Sequence, residues 1–173
     1  MCGRFTLNST SEALAAEFEL DDIAFLQPRF NIAPSQDIAV IRSNDAGSRE
    51  CVELRWGLIP SWAKDPTLAR APINARCETA AEKPTFRRAM SRSRCLVPAS
   101  GFYEWQTTGG KGAKKQPYLF HRAAHATFAM AGLYEAWHGE GGEIIESVAL
   151  LTTEANEVVA PVHKRMPVIL ASS

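Results

Sequence analysis

At 173 residues, with 46% hydrophobic and 22% charged side chains, the chain has the size and balance of one globular domain with a substantial core. Its 19 basic and 19 acidic residues cancel to zero net charge, which excludes a chain committed as a whole to nucleic acid and leaves basic patches to be found by position. No apolar run approaches the roughly 20 residues that cross a bilayer, and no basic-then-apolar signal pattern opens the chain, so a cytoplasmic protein without a membrane partner is expected.

In chain order, Ser9-Thr10-Ser11-Glu12 has the form of a capping box with Ser9 as N-cap, and Leu14, Phe18 and Leu20 follow at helical spacing. Arg29–Ser35 reads as a loop punctuated by Pro28 and Pro34. Ile38–Ile41 and Cys51–Trp56 read as two strands of a hairpin, joined by turn chemistry at Asn44-Asp45-Ala46-Gly47. After Ile73–Thr79 a helical stretch is expected, broken at Pro84, which would open a second short helix through Phe86 and Met90. Cys95–Pro98 and Gly101–Trp105 suit strands around a bend, and Gly109–Lys115 a basic hairpin tip. Strands near Tyr118–His121, Phe128–Tyr134 and Ile144–Thr152, a short helix over Glu154–Val159 and a last strand at Pro167–Leu170 complete the pattern. Many strands with few short helices predict an α+β domain, mainly β.

Chemistry concentrates first at Met1-Cys2-Gly3-Arg4-Phe5. If Met1 is removed, Cys2 carries a thiol and an α-amine on one Cα, two nucleophiles with ordinary pKa values of about 8.5 and about 7.7–8.0. The other cysteines, Cys51, Cys77 and Cys95, match no CxxC or zinc spacing, so structural thiols and no metal are expected, with Cys77 a small buried hydrophobe. Glu104 sits between Tyr103 and Trp105 in an aromatic strand. Alternation by itself turns it to solvent, whereas burial would desolvate it for acid/base work. His163 lies in a loop bracketed by Pro161 and Pro167, where side chains are presented for function or simply exposed. Asn74 precedes the expected helix, the position of a cap.

From Lys83 to Arg94 the chain carries Lys83, Arg87, Arg88, Arg92 and Arg94 with no acid, and Arg4, Arg29, Arg70 and Arg76 are candidates to join them in space. Such a face suits single-stranded nucleic acid if aromatics are present for stacking. Trp56, on a strand, reads as core, and Trp62, in a loop after Pro60-Ser61, as the stacking candidate.

Six blocks of this sequence resemble the SOS-response-associated peptidase (SRAP) family, whose members react with abasic sites in single-stranded DNA. They are Met1–Phe5, Phe30–Pro34, Trp56–Trp62, Ile73–Thr79, Pro98–Trp105 and His163–Leu170, in the family's order. The resemblance implies a curved, barrel-like antiparallel sheet with a few short helices. It implies that Cys2, freed of Met1, cross-links to the lesion as a thiazolidine and so protects it during the DNA-damage response. Asn74 would position the sugar and the Cys2 terminus, Glu104 would be the acid/base, and His163 would assist sugar-ring opening. Arg4, Asn31, Trp62 and Arg76 would line the DNA channel, and Arg87 and Arg88 belong to the basic face beside it. No cofactor is implied, lyase-like Schiff-base chemistry and autopeptidase removal of Met1 are, and a monomer that joins the nucleoid when bound to DNA is expected. Residues 1–173 then form one SRAP domain that stops short of the family's C-terminal segment. Two rivals remain: an N-terminal-nucleophile amidohydrolase of the glutamine amidotransferase type, which also opens Met-Cys-Gly, and a non-covalent single-strand binder.

Overall fold

A computed structural model describes residues 2–24, 26–67, 71–109 and 114–171. Met1, Arg70 and residues 110–113 of the expected basic tip fall outside them. The elements run β1 (Arg4–Leu7), α1 (Ser11–Phe18), β2 (Arg29–Ile32), β3 (Asp37–Ser43), β4 (Arg49–Trp56), β5 (Asn74–Arg76), α2 (Arg87–Arg92), β6 (Arg94–Ala99), β7 (Gly101–Thr107), β8 (Lys115–Phe120), a 3-10 turn at Ala123–His125, β9 (Phe128–His138), β10 (Ile144–Glu154) and β11 (Arg165–Pro167).

Two sheets organise them. Strands β10, β4, β3, β6 and β9 follow one another, and β9 pairs back onto β10, closing a five-strand barrel. Only the β4–β10 pairing in that circuit is parallel. The second sheet has the order β2-β1-β7-β8. Apolar side chains from both, including Ile38, Val40, Leu54, Val97, Met130 and Leu150 of the barrel and Phe5 and Phe102 of the side sheet, form one buried core. Phe5 meets the edge of Trp56 at 5.3 Å between ring centroids, and the indole N–H of Trp56 donates to Ile73 O at 2.9 Å, so the one polar atom of this buried ring is satisfied.

Local sequence explains much of this. In the β3–β4 turn Asn44 Oδ1 accepts from the N–H groups of Ala46 and Ser48, and Gly47 supplies φ +82°. The cap of α1 is Thr10, whose hydroxyl accepts from Ala13 N at 3.2 Å, and not Ser9. Ser9 is drawn instead to the hydroxyls of Ser100 and Thr127.

Elsewhere tertiary pairing overrides the local signal. Arg29–Ile32, expected as loop, pairs with β1. The stretch expected to lead into a helix is the three-residue strand β5, parallel to β10 through Leu150↔Asn74, Leu151↔Ala75 and Thr152↔Arg76. No α-helix follows it until α2, which starts at Arg87 with Phe86 as cap, beyond Pro84. The helix expected over Glu154–Val159 is a set of turns. Asn156 Oδ1 caps the N–H of Val159, and Pro161 cannot extend the turn into a helix. The last strand is β11, and Ile169 beyond it makes a single bridge to Met130. No helix among the described residues is long and apolar enough to cross a membrane.

Candidate functional site

Cys2 lies where the side sheet meets the barrel. Strand β1 pairs with β7 as Arg4↔Tyr103 and Phe5↔Phe102, so the chain upstream of Arg4 continues alongside β7 toward Glu104. Cys2 is fully buried, its thiol donates to Arg4 O at 3.7 Å, and Asn74 Nδ2 donates to Cys2 O at 2.8 Å. The last bond spans the seam, because Asn74 belongs to β5 on the barrel side. Asn74 Oδ1 is also buried and has no hydrogen-bond partner among the described residues, so Asn74 is a strand residue with an acceptor to spare and not a helix cap.

Glu104 overturns the expectation from alternation. In β7 the inward face carries Phe102 and Glu104, the latter 2% exposed, while Tyr103 and Trp105 lie half-buried on the opposite face with rings 6.3 Å apart. Burial, and secondly the charge of Glu104, push the Cys2 thiol up to about 12. The resting sulfur is therefore a thiol, with the Glu104 carboxylate acting on it. Glu104 Oε1 also stands 3.7 Å from His163 Nδ1.

The His163 loop is pinned at several points. His163 N donates to Val159 O at 3.0 Å, and Gln106 Nε2 of β7 donates to Pro161 O at 2.9 Å. His163 Nδ1 stands 3.0 Å from both the N–H and the carbonyl oxygen of Arg165. Cys2, Asn74, Glu104 and His163, spread over 162 residues of sequence, thus form one connected cluster. Among the described residues no group of three His, Cys, Asp or Glu could hold a metal ion.

Beside His163 opens a cleft of about 840 Å³ lined by Arg76, Trp105, Lys115, His163, Lys164 and Arg165, among others. It is cationic apart from Glu154, and one wall is aromatic. Arg4 and Asn31 form a second polar element, with Arg4 Nη1 donating to Asn31 Oδ1 at 2.8 Å. Beside Asn31, Phe30 is 62% exposed.

Trp62 is 65% exposed, on a loop fastened at three points: Ile59 N to Ser147 Oγ, Trp137 Nε1 to Ala63 O, and Arg88 Nη1 to Ser61 Oγ. A large ring is thereby held in solvent on a fixed mount. Arg88 also pairs with buried Glu135 at 3.9 Å. The Arg87 side chain is exposed and makes no hydrogen bond or ion pair among the described residues, and its backbone N–H donates to Lys83 O at 2.9 Å, so nothing ties it to the cluster at Cys2.

Sequence reasoning missed Trp105, Lys115, Lys164, and the pair Glu78–Arg165. Arg165 clasps Glu78 with two bonds of 2.7 and 2.9 Å, and its guanidinium holds the Glu78 carboxyl down at about 2. Long-range pairing created these neighbours, and only the position of Arg165 two residues after His163 hinted at it. Cys77 is partly exposed and packs at the edge of a small apolar cluster with Leu58, Ala75 and Leu151.

The fold is that of an α+β protein, with a buried cysteine at the second position where the side sheet meets the barrel, and Glu104 acting on its thiol. The chain belongs to the SOS response associated peptidase (SRAP) family, whose family model matches residues 1–173. It is 45% identical over 174 residues to the abasic site processing protein YoaM of Bacillus subtilis, covering 99% of this chain and 75% of that one. It is 30% identical over 178 residues to the abasic site processing protein HMCES of Mus musculus, covering 83% of this chain and 50% of that one. A crystal structure of a Bacteroides thetaiotaomicron protein superposes with a TM-score of 0.83 at 28% identity, over 98% of this chain and 77% of that one.

Proposed function

We propose that the protein recognises abasic sites in single-stranded DNA and captures them covalently at Cys2 once Met1 has been removed. The observation that carries this reading is the burial of Cys2 between Asn74, on its carbonyl, and Glu104, whose charge acts on its thiol. The names of the relatives, abasic site processing proteins, supply the substrate class.

An abasic sugar exposes a C1′ aldehyde only when its ring opens, and His163 assists that opening by proton transfer. The α-amine of Cys2 adds to the aldehyde carbon, and loss of water gives a Schiff base. The thiol then adds to the same carbon. Its proton passes by way of Glu104 to the nitrogen, and a five-membered thiazolidine closes. Aldehyde, amine and thiol yield ring plus one water, with no change of oxidation state. This order suits a buried sulfur with a carboxylate beside it, since the amine attacks first and the thiol then adds at short range. In the amidotransferase alternative the same sulfur would open the attack on an amide.

Arg4, Asn31 and Arg76 hold the backbone on either side of the lesion, with Lys115 and Lys164 adding charge along the cleft. Trp62 stacks a base on its exposed face, and Arg88 and Arg87 extend that patch. Residues 1–173 act as one domain in this reading. Lyase-like Schiff-base chemistry and autocatalytic loss of Met1 follow from the same groups.

The test is incubation with a single-stranded oligonucleotide bearing one abasic site, followed by a denaturing gel. A band that survives denaturation, and disappears for Cys2→Ala and for intact DNA, is expected. Salt-reversible binding alone would leave the non-covalent reading, and glutamine hydrolysis lost in Cys2→Ala would establish the amidohydrolase.

A further inference from the structure

We propose that Glu135 is a positioning residue for single-strand recognition: through Arg88 it holds Ser61, and so fixes the face that Trp62 offers to a base. The inference rests on the proposed DNA reading for its effect on affinity, and on geometry alone for its effect on the ring. Glu135 is a buried carboxylate that the Cys2 chemistry does not use. It is 5% exposed, on the face of β9 that also carries Leu133 and Trp137. A carboxylate buried among apolar neighbours is costly without a partner. Arg88 of α2, at 3.9 Å, is the one cation within ion-pair range of it among the described residues.

The loop that carries Trp62 is fastened to this face at every second residue. Ile59 N donates to Ser147 Oγ at 2.8 Å, and Ser147 stands opposite Glu135 in the β9–β10 pairing. Trp137 Nε1, two residues beyond Glu135, donates to Ala63 O at 2.6 Å. Between these points lies Ser61. Its hydroxyl accepts from Arg88 Nη1 at 2.8 Å, the same nitrogen that faces Glu135. The outer two fastenings run straight from the hairpin to the loop backbone. The middle one, next to Trp62, reaches the hairpin only through Arg88.

That route is what requires the carboxylate. Arg88 is exposed, and ordering its long side chain on one neutral hydroxyl costs rotamer freedom that a single bond does little more than offset. Glu135 supplies the second attraction from the buried side, where screening is weakest. Only Nη1 is engaged among the described residues, so Nε and Nη2 remain for a DNA phosphate. A ring ordered before binding loses less freedom when a base stacks on it, so releasing Ser61 weakens the platform without touching the cluster at Cys2. Two rival readings make other predictions. If the pair only seats α2 on the barrel, Trp62 is indifferent to it. If Glu135 merely attenuates the charge of Arg88, its removal tightens DNA binding.

The experiment compares wild type, Glu135→Gln and Ser61→Ala, each also made in the Trp62→Ala background. The protein is labelled with 5-fluorotryptophan, and the Trp62 resonance is the one lost in Trp62→Ala. Without DNA, both variants shift that resonance and leave those of Trp56 and Trp105 in place. Affinity for intact single-stranded DNA is then read by fluorescence anisotropy. With Trp62 present, both variants weaken binding by roughly three- to thirty-fold more than they do in the Trp62→Ala background, the scale of coupling within one network. The cycle also subtracts any direct effect of the lost charge on phosphates. The saturating rate of adduct formation on abasic DNA stays at the wild-type value. Thermal melts establish which variants are folded, and Ser61→Ala alone decides the proposal if Glu135→Gln is not. An unmoved Trp62 resonance, or effects that are the same in both backgrounds, overturn the proposal. Tighter binding by Glu135→Gln in both backgrounds does so too, and leaves charge attenuation. A wild type that forms no adduct contradicts the abasic-site reading instead, and the fluorine spectra and intact-DNA affinities still decide the role of Glu135.

Discussion

The barrel and the seam beside it are built on opposite terms. In the barrel, long strands pair over many residues, seven positions each for β3–β4 and β9–β10, and the buried side chains are mainly apolar, with Glu135 and Ser147 as buried polar exceptions held by Arg88 and by Ile59 N. At the seam, β5 and β11 have three residues each, and buried polar groups accumulate: Glu104, Thr152, Asn74 Oδ1 and Arg165 Nε. Such groups are costly to bury. Their concentration along one edge of a well-packed scaffold indicates that the scaffold offsets the instability of the site, so stability and chemistry should be separable by mutation.

The largest separation is expected at Glu104. Glu104→Gln keeps the shape and removes the base, and adduct formation should slow by about 10²–10⁴-fold with little change in thermal midpoint, as single-turnover gels and melts will record. An unfolded variant would mean that the carboxylate holds the seam together. Trp56→Ala is the converse. It empties a fully buried site and removes the donor to Ile73 O, costing about 3–5 kcal/mol by denaturant titration, while any folded fraction still reacts at the native rate. Trp62→Ala should weaken single-strand affinity by about 1–3 kcal/mol in fluorescence anisotropy without altering the midpoint, since the ring is exposed and its loop is fastened by its neighbours. Loss of stability would place that ring's role in packing.

The smallest effect is one of pH. A thiol raised above its ordinary value makes its full contribution to stability below that value and loses it as the pH climbs toward about 12. Iodoacetamide should accordingly label Cys2 slowly in the folded protein across that window and readily once the chain is denatured. Fast labelling of folded protein at pH 9 would show that the sulfur is not sealed.

The sequence made one region far more legible than the other. The β3–β4 hairpin shows in its alternation and in Asn44–Gly47, because the signals are local and the partners are neighbours. Trp56 as core and Trp62 as the exposed ring follow from strand against Pro-flanked loop. Glu104 was singled out by its aromatic neighbours, but alternation alone turned it to solvent, because the half-buried aromatics flank it on the other face, and the family block gave it a role. β2 and β5 read as loop and helix lead-in because their strand character comes from partners 20 to 80 residues away. The Glu78–Arg165 clasp joins residues 87 positions apart, and its one local hint is the place of Arg165 two residues after His163.

The central claim is that one residue supplies both nucleophiles, and it is tested most directly by offering abasic single-stranded DNA to two forms of the protein. One begins at Cys2 and the other retains a residue ahead of it. After nuclease digestion, mass spectrometry of the N-terminal peptide should find the sugar remnant on Cys2 of the first form, with the mass of aldehyde plus peptide less one water and no free thiol. The second form should carry none. A stable adduct on the form with a blocked amine, or one in which the Cys2 thiol remains free to alkylate, would contradict the account.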